Sequence, residues 1–338
     1  MDVPGEKLLI KMWESLADRG IGSLLKPWQM RRESRAQLET RRNEMLLLAQ
    51  AEKEAEEIRA GKKKVVETDR KSLMLLSSDA EVIDGRAEPV LDMGALMHAA
   101  EESKRANAVR EEINVAKTIL QAEDILSADP SEATEHPIDA DWLYRWRDCA
   151  AQVSSDELQS LWAKVLAGEV KSPGAHSLRT LDFLKNLSRA EAEQIQRLCP
   201  YVVNGQFIFT YGEMANSPTT SIDFLMQMQE LGLISGVGGV GLTITWKPNG
   251  GGALFVQYLL MHNRAVVART TDLTKVLTLT MYRVTPLGMQ VLALSPMPAS
   301  EPYVQAIAEA VKAQGFDAYT AVSVAVPGGR HILNEVKV

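Results

Sequence analysis

The sequence predicts an α+β protein that is mainly helical. Amphipathic helical patterns fill most of the first 200 residues, and runs of β-branched or alternating apolar residues come only after them. Between Ile138 and Leu198 a short helical stretch carries three tryptophans, which is typical of a packed core. The length of 338 residues allows two or three domains of roughly 100–200 residues each.

Composition narrows the class of protein. The chain is 46% hydrophobic and 24% charged, as in an ordinary globular protein, and its net charge of −7 argues against bulk nucleic-acid binding. Cys149 and Cys199 are its two cysteines, so no disulfide framework is expected. No secretory segment and no apolar run of about 18 residues is recognisable. These features predict a cytoplasmic protein. Peripheral contact of this protein with the inner membrane is a further option.

Residues 1–60 form the first predicted unit, an amphipathic helix followed by a long charged helix. Residues 6–28 place apolar side chains, among them Leu9, Met12, Trp13 and Leu16, on one face. A basic amphipathic helix of this kind could lie on a membrane surface. Acidic residues dilute its positive face, however, so packing on the protein itself or on another subunit is favoured.

The long helix, Trp28 to about Arg59, is basic in its first half and acidic in its second. This order opposes the helix macrodipole, so the charges are expected to have partners outside the helix. Packing against a partner, such as a neighbouring chain in antiparallel register, or within the same chain is favoured, and a homo-oligomer is the expected state. Lipid or nucleic-acid phosphate and simple solvation are the alternatives. The residues predicted to make these contacts are Arg31, Arg32, Arg35, Arg41 and Arg42.

Residues 61–95 are predicted to be a linker or a mobile insertion, because they are charged and carry Gly, Pro, Ser and Asp. A helical bundle is predicted over residues 96–200. Asp139 or Asp141, Ser154 or Ser155, and Ser188 are placed to begin three of its helices. The helix faces predicted to be buried contain Ile113, Ile119 and Leu126; Trp142, Leu143 and Trp146; Leu158, Trp162 and Leu166; and Leu178, Leu181 and Leu184.

One turn in the bundle is a candidate anion site. His176, Ser177 and Arg179 follow Pro173-Gly174 at the start of a helix, where backbone N–H groups can hold an anion. The favoured alternative is a structural turn in which the serine caps the helix and Arg179 pairs with Glu169 or Asp182. The histidines are scattered and the two cysteines suit packing. The sequence therefore predicts no catalytic residues, no metal site and no cofactor.

Residues 201–298 resemble a winged-helix domain. QFIFTYGEM is strand-like, a helix follows around IDFLMQMQELG, and strand patterns follow in LTITWKP, ALFVQYLLMHN, RAVVART and KVLTLTMYRVT. TPLGMQVLAL is predicted to be the closing helix, and GVGGVG a hairpin turn, since no helix pattern follows it. Residues 299–338 are predicted to be an αβ extension that covers the sheet.

A winged helix raises the question of DNA binding. The helix that would enter the groove contains no Lys or Arg and carries Asp223 and Glu230. The hairpin region supplies only Lys247, Arg264 and Arg269, whereas groove binding normally needs basic phosphate contacts around the helix. A protein-interaction module is therefore favoured over a DNA-binding one.

The stretch LQSLWAKVLAGE, then PG, then HSLRTLDFLKNLSRAEAEQI resembles the core of the bacterial abortive-infection alpha-type family and its uncharacterised relatives. The resemblance covers about Asp141 to Leu198, and Ile21 to Arg42 more loosely. It implies a role in phage defence without assigned catalytic residues. The expected function is a non-enzymatic defence protein that acts through oligomerisation and protein or membrane-surface contacts, with other defence proteins as partners. The alternative is a winged-helix DNA-binding transcriptional regulator.

Overall fold

The computed structural model describes residues 5–21, 93–217, 220–239, 241–248, 253–326 and 329–338. Over this part the protein is α+β, with about 51% helix and 20% strand, in agreement with the predicted fold class. It contains ten α-helices and two antiparallel sheets within the described ranges. Residues 22–92, which include the predicted arginine contacts Arg31, Arg32, Arg35, Arg41 and Arg42, lie outside the described residues, as do most of the predicted linker residues.

Six helices make up the first half of the described chain. Their bounds are α1 Glu6–Ala17, α2 Met93–Ser127, α3 Ala140–Ala151, α4 Asp156–Lys171, α5 Leu178–Lys185 and α6 Arg189–Leu198. The second half of the 35-residue α2 lies at the centre and packs against α1, α3 and α4. Trp146 and Trp162 are fully buried there, and the indole N–H of Trp146 donates to the carbonyl of Trp162 at 3.0 Å.

Side-chain caps begin these helices much as the sequence predicts. Asp139, Ser155 and Ser188 accept backbone N–H groups at the starts of α3, α4 and α6, and Glu191 completes a capping box with Ser188. The prediction of burial is wrong for two residues. Leu158 and Leu178 are 38% and 43% exposed, because each lies in the first turn of its helix, beyond the edge of the packed face.

The apolar face of α1 is buried in the protein itself. Leu8, Met12 and Leu16 have no exposed surface and belong to the same continuous core as α2, α3 and α4. For the described residues of this segment, the structure confirms intrachain packing over the alternative of a membrane-bound face. Among the described residues, no helix has both the length and the apolar character needed to cross a membrane.

The second half of the chain contains the strands. They are β1 Phe207–Phe209, β2 Ile234–Ser235, β3 Leu242–Trp246, β4 Phe255–Leu260, β5 Arg264–Thr270, β6 Leu277–Val284, β7 Asp317–Val326 and β8 Gly329–Lys337. The helices are α7 Glu213–Asn216, α8 Ile222–Glu230, α9 Pro286–Leu292 and α10 Glu301–Ala313. A 3₁₀ turn, Cys199–Tyr201, leads into this half.

The strands form two separate sheets. In the first sheet β6 pairs with β1, β2 and β3. The second sheet has the order β4-β5-β7-β8, so the hairpin of β4 and β5 leaves the first sheet and joins the C-terminal strands. The predicted units 201–298 and 299–338 therefore share one sheet. The helix and first strand of the C-terminal segment agree with the sequence prediction, whereas β8 was not predicted.

Candidate functional sites

The candidate anion turn is organised around a buried carboxylate of the protein. Glu169, at 1% exposure, accepts the backbone N–H groups of Gly174 at 2.5 Å and His176 at 3.1 Å. The indole N–H of Trp142 donates to the His176 carbonyl at 2.7 Å. An external anion would therefore have to compete with Glu169 for the N–H groups of this turn.

Two titratable groups are buried side by side in this turn. Burial raises the pKa of Glu169 above its usual value, although the N–H groups of Gly174 and His176 oppose the shift. Burial lowers the pKa of His176, whose Nδ1 lies 4.0 Å from a Glu169 carboxylate oxygen and has no hydrogen-bond partner in the described part of the chain. The lowered pKa favours the neutral form of this imidazole beside the glutamate at neutral pH.

The other two residues of the candidate turn have separate roles. Ser177 caps α5 by accepting the N–H of Thr180, and its own backbone N–H donates to the side-chain oxygen of Gln290 on α9 at 2.9 Å. Arg179 is exposed on the first turn of α5. The predicted ion pair between Arg179 and Glu169 is wrong, because Glu169 points into the turn and binds its backbone.

The outer face of α8 is apolar and acidic. Ile222 and Met226 are 52% and 44% exposed one turn apart, and Asp223 and Glu230 are exposed on the same helix. The opposite face, with Phe224, Leu225 and Met228, is buried. This is the helix that would enter a DNA groove in a winged-helix domain, and it presents no cation.

The basic residues predicted near the hairpin do not gather around α8. Arg264 and Arg269 lie on β5 in the second sheet, where they form ion pairs with Glu301 at 3.1 Å and Glu335 at 2.6 Å. Lys247 is exposed at the end of β3. Two of the three cations are therefore already matched by carboxylates of the protein.

The second sheet has one face in the core and one open face. By the strand register, Phe255, Leu259, Val266 and Ala268 share the face that belongs to the continuous core. On the opposite face Val267 is aligned between Tyr258 and Tyr319, and it is fully buried although it lies outside that core. We infer that its larger neighbours on the open face cover it.

A cleft of about 630 Å³ lies at one end of this open face. One wall is α9 with the residues that follow it, and the other is β4 with the turn between β4 and β5. The lining residues are Cys199, Val202, Asn204, Gly205, Tyr258, Leu260, Met261, His262, Met289, Leu292, Ala293, Pro296, Met297 and Arg330. Of these residues, only Cys199, as a packing thiol, and His262, as one of the scattered histidines, were considered from the sequence.

Asn204 holds the edge of β4 beside the cleft. Its backbone has a φ of 50°, and its side chain accepts the N–H of Leu260 at 2.7 Å and donates to the carbonyl of Tyr258 at 3.3 Å. Its own N–H donates to the carbonyl of Leu260. Asn204 thus makes the backbone hydrogen bonds that a neighbouring strand would make with β4. These bonds hold the β4 wall of the cleft in place.

The cysteines are packing residues, as predicted. Cys149 and Cys199 are buried and unpaired with each other, and burial raises the pKa of Cys199 to about 11. Within the described ranges, no group of three or more His, Cys, Asp or Glu side chains is placed to hold a metal ion.

Comparison with known proteins gives one match. A family model described as a protein of unknown function (DUF2806) matches residues 99–207. This range runs from the first part of α2 to the start of β1, so it covers the helical half and less than half of the chain. No curated protein and no solved structure matches.

Proposed function

We propose that this chain is a non-enzymatic, cytoplasmic protein of bacterial phage defence that acts by binding other proteins. The defence setting rests on the resemblance of Asp141 to Leu198 to the abortive-infection alpha-type family. The mode of action rests on one observation, the outer face of α8. Exposed Ile222 and Met226 beside Asp223 and Glu230 suit a protein partner and repel DNA phosphate.

The order of the elements supports the proposal of a winged-helix-like interaction module in this region. The elements follow the order β1, α7, α8, β2, β3, β6 and α9, with the β4–β5 hairpin inserted between β3 and β6, and β6 pairs with β1, β2 and β3. In our proposal α8 is the contact helix of this arrangement. The fold alone does not distinguish a protein partner from DNA. The proposal of a protein partner therefore rests on the chemistry of the α8 surface.

Self-association is part of the proposal. The charge order of the segment 28–59 favours an antiparallel neighbour. The first turns of α2 expose Met93, Leu96 and Met97 to 61%, 50% and 63%, which is more apolar surface than a solvated helix needs. Light scattering should give a mass above that of one chain at micromolar concentration, and a monomer would contradict this part.

The test of the function is a phage-plating assay with cell-survival counts, with and without the neighbouring genes. Wild type should reduce plaque numbers, and the double variant Ile222→Asp, Met226→Asp should lose this protection at an unchanged protein level. Tyr144→Asp, which alters a similarly exposed side chain on α3, is the matched control and should protect. Protection by the double variant equal to that of wild type would refute the role of α8.

The second candidate is a DNA-binding regulator, which the winged-helix-like order favours. It predicts a gel shift that weakens steeply with salt and is lost on replacing Arg264 and Arg269 with glutamine. The protein-binding proposal predicts no such shift, because both arginines already pair with Glu301 and Glu335.

A further inference from the structure

The cleft at the end of the open sheet face has the size and composition of a small-molecule site. Its volume of about 630 Å³ falls within the roughly 300–1,000 Å³ that is usual for such sites. Three of its lining residues are methionines, Met261, Met289 and Met297, and Leu260 and Leu292 add to the apolar surface. Methionine side chains adapt their shape, so these walls suit an apolar body of variable outline.

The charges on the open face are unevenly matched. Arg269 pairs with Glu335 and Lys337 pairs with Asp317, each at 2.6 Å, so these two cations are neutralised. Arg330, at the cleft, forms no ion pair with any described residue. Its hydrogen bonds go to uncharged oxygens, the hydroxyl and carbonyl of Ser323 and the carbonyl of His262. An uncompensated positive charge therefore lies at the cleft.

The guanidinium of Arg330 is also held in place. Its Nε donates to the Ser323 hydroxyl at 2.7 Å, and Nη2 donates to the His262 carbonyl. The remaining terminal nitrogen, Nη1, makes no hydrogen bond to the residues that the structure describes, and Arg330 lines the cleft. A positioned donor of this kind binds an anionic oxygen with little further loss of side-chain entropy.

The opposite wall is rigid as well. Asn204 fixes the edge of β4 by two side-chain hydrogen bonds, as described above, and Leu260 on that strand pairs with Ala265 of β5. The apolar walls and the arginine thus keep their spacing without a ligand.

We propose that this cleft binds a small amphipathic anion, an organic molecule with an apolar body and one carboxylate, sulfonate or phosphate group. The apolar body lies against the methionines and leucines, and the anionic group binds Arg330. This site is separate from the outer face of α8 and independent of the function proposed above.

The first experiment uses anilinonaphthalene sulfonate, which is a fluorescent molecule of this chemistry, with the full chain. One probe should bind per chain, and decanoate should displace it. Decanol, with the same apolar chain and no charge, should compete about tenfold less well or worse, because it lacks the charge-assisted hydrogen bond. Equal competition by decanol and decanoate would overturn the role of the anion.

Two pairs of variants locate the site. Arg330→Gln should weaken binding of the probe about tenfold, as expected for the loss of one charge-assisted hydrogen bond. The control is Arg189→Gln, which alters an exposed arginine on α6 and should leave binding unchanged. Met297 is 39% exposed, so a charged side chain of either sign at this position should stay hydrated and leave the core unchanged. Met297→Glu should weaken binding and Met297→Lys should not. Unchanged binding by both Arg330→Gln and Met297→Glu would overturn the proposal.

Discussion

The indole N–H of Trp142 donates to the carbonyl of His176, at 2.7 Å, across 34 residues of sequence. This bond ties α3 to the turn before α5, and Glu169 ties the same turn to α4. Trp142 and His176 are 4% and 7% exposed and the hydrogen bond between them is buried, so bulk water has little access to the carbonyl. Two interior side chains therefore satisfy the backbone of this turn, for which the sequence favours a structural role over an anion site.

Trp142→Phe should destabilise the protein by about 1–3 kcal/mol, because it leaves the buried His176 carbonyl without a donor while most of the apolar volume is kept. Urea denaturation followed by far-UV circular dichroism measures the change. Tyr144→Phe, two residues away and exposed, should have almost no effect. Equal stability of Trp142→Phe and wild type would show that the bond contributes little.

Glu169→Gln should also destabilise the fold, by about 1–3 kcal/mol at neutral pH. Glutamine offers one acceptor oxygen where the carboxylate accepts two N–H groups, and its NH₂ group would face a backbone donor. The comparison variant is Glu193→Gln on the exposed side of α6. If both variants unfold at the same urea concentration as wild type, the turn does not depend on the carboxylate.

His176→Gln should flatten the dependence of stability on pH below about pH 6.5. Burial lowers the pKa of His176 in the folded state, so below the usual value of about 6.5 the unfolded chain binds a proton that the folded chain does not. Stability from this group is present above that pH and is lost as the pH falls. The raised pKa of Glu169 acts in the opposite sense, since its contribution is lost as the pH rises through its folded pKa.

The measurement is the urea midpoint at a series of pH values between 5 and 8. Replacement of the exposed His331 by glutamine is the matched control. It should leave the change of the urea midpoint with pH as in wild type. A steep acid loss that persists in His176→Gln would assign the pH dependence to other groups.

The local pattern was enough to predict most helices and strands, because each carries its own periodicity and capping residues. It could not predict that the β4–β5 hairpin lies outside the first sheet and that β5 pairs with β7, since strand pairing depends on contacts far apart in sequence. Strand β8 was missed because its alternation is weak, with polar Arg330, Asn334 and Lys337 on an exposed edge.

The candidate sites show the same limit. Sequence spacing correctly placed Ser177 as a cap, yet the partner of its N–H is Gln290, 113 residues later. The sequence did not predict Arg330 as a site residue, because a single arginine in a short polar run is common in proteins. Its importance arises from Ser323 and His262, which the fold brings to it.

The last prediction concerns Gly288, near the start of α9. Thr285 donates its N–H to the carbonyl of Leu233 at 2.9 Å, so this helix begins directly against the chain before β2. A Cβ at Gly288 would lie 2.0 Å from that carbonyl oxygen and 2.9 Å from its carbon. Alanine is the better helix former by about 1 kcal/mol, but a clash with backbone cannot be relieved by a side-chain rotation.

Gly288→Ala should therefore lower the free energy of unfolding by about 1–3 kcal/mol in urea denaturation. Gly329→Ala, where an added Cβ would meet no atom within 4 Å, should stay within about 0.5 kcal/mol of wild type. Because α9 also forms a wall of the cleft, Gly288→Ala should weaken anilinonaphthalene sulfonate binding under conditions in which it remains folded. A Gly288→Ala protein as stable as wild type would mean that α9 can move away from Leu233 at no cost.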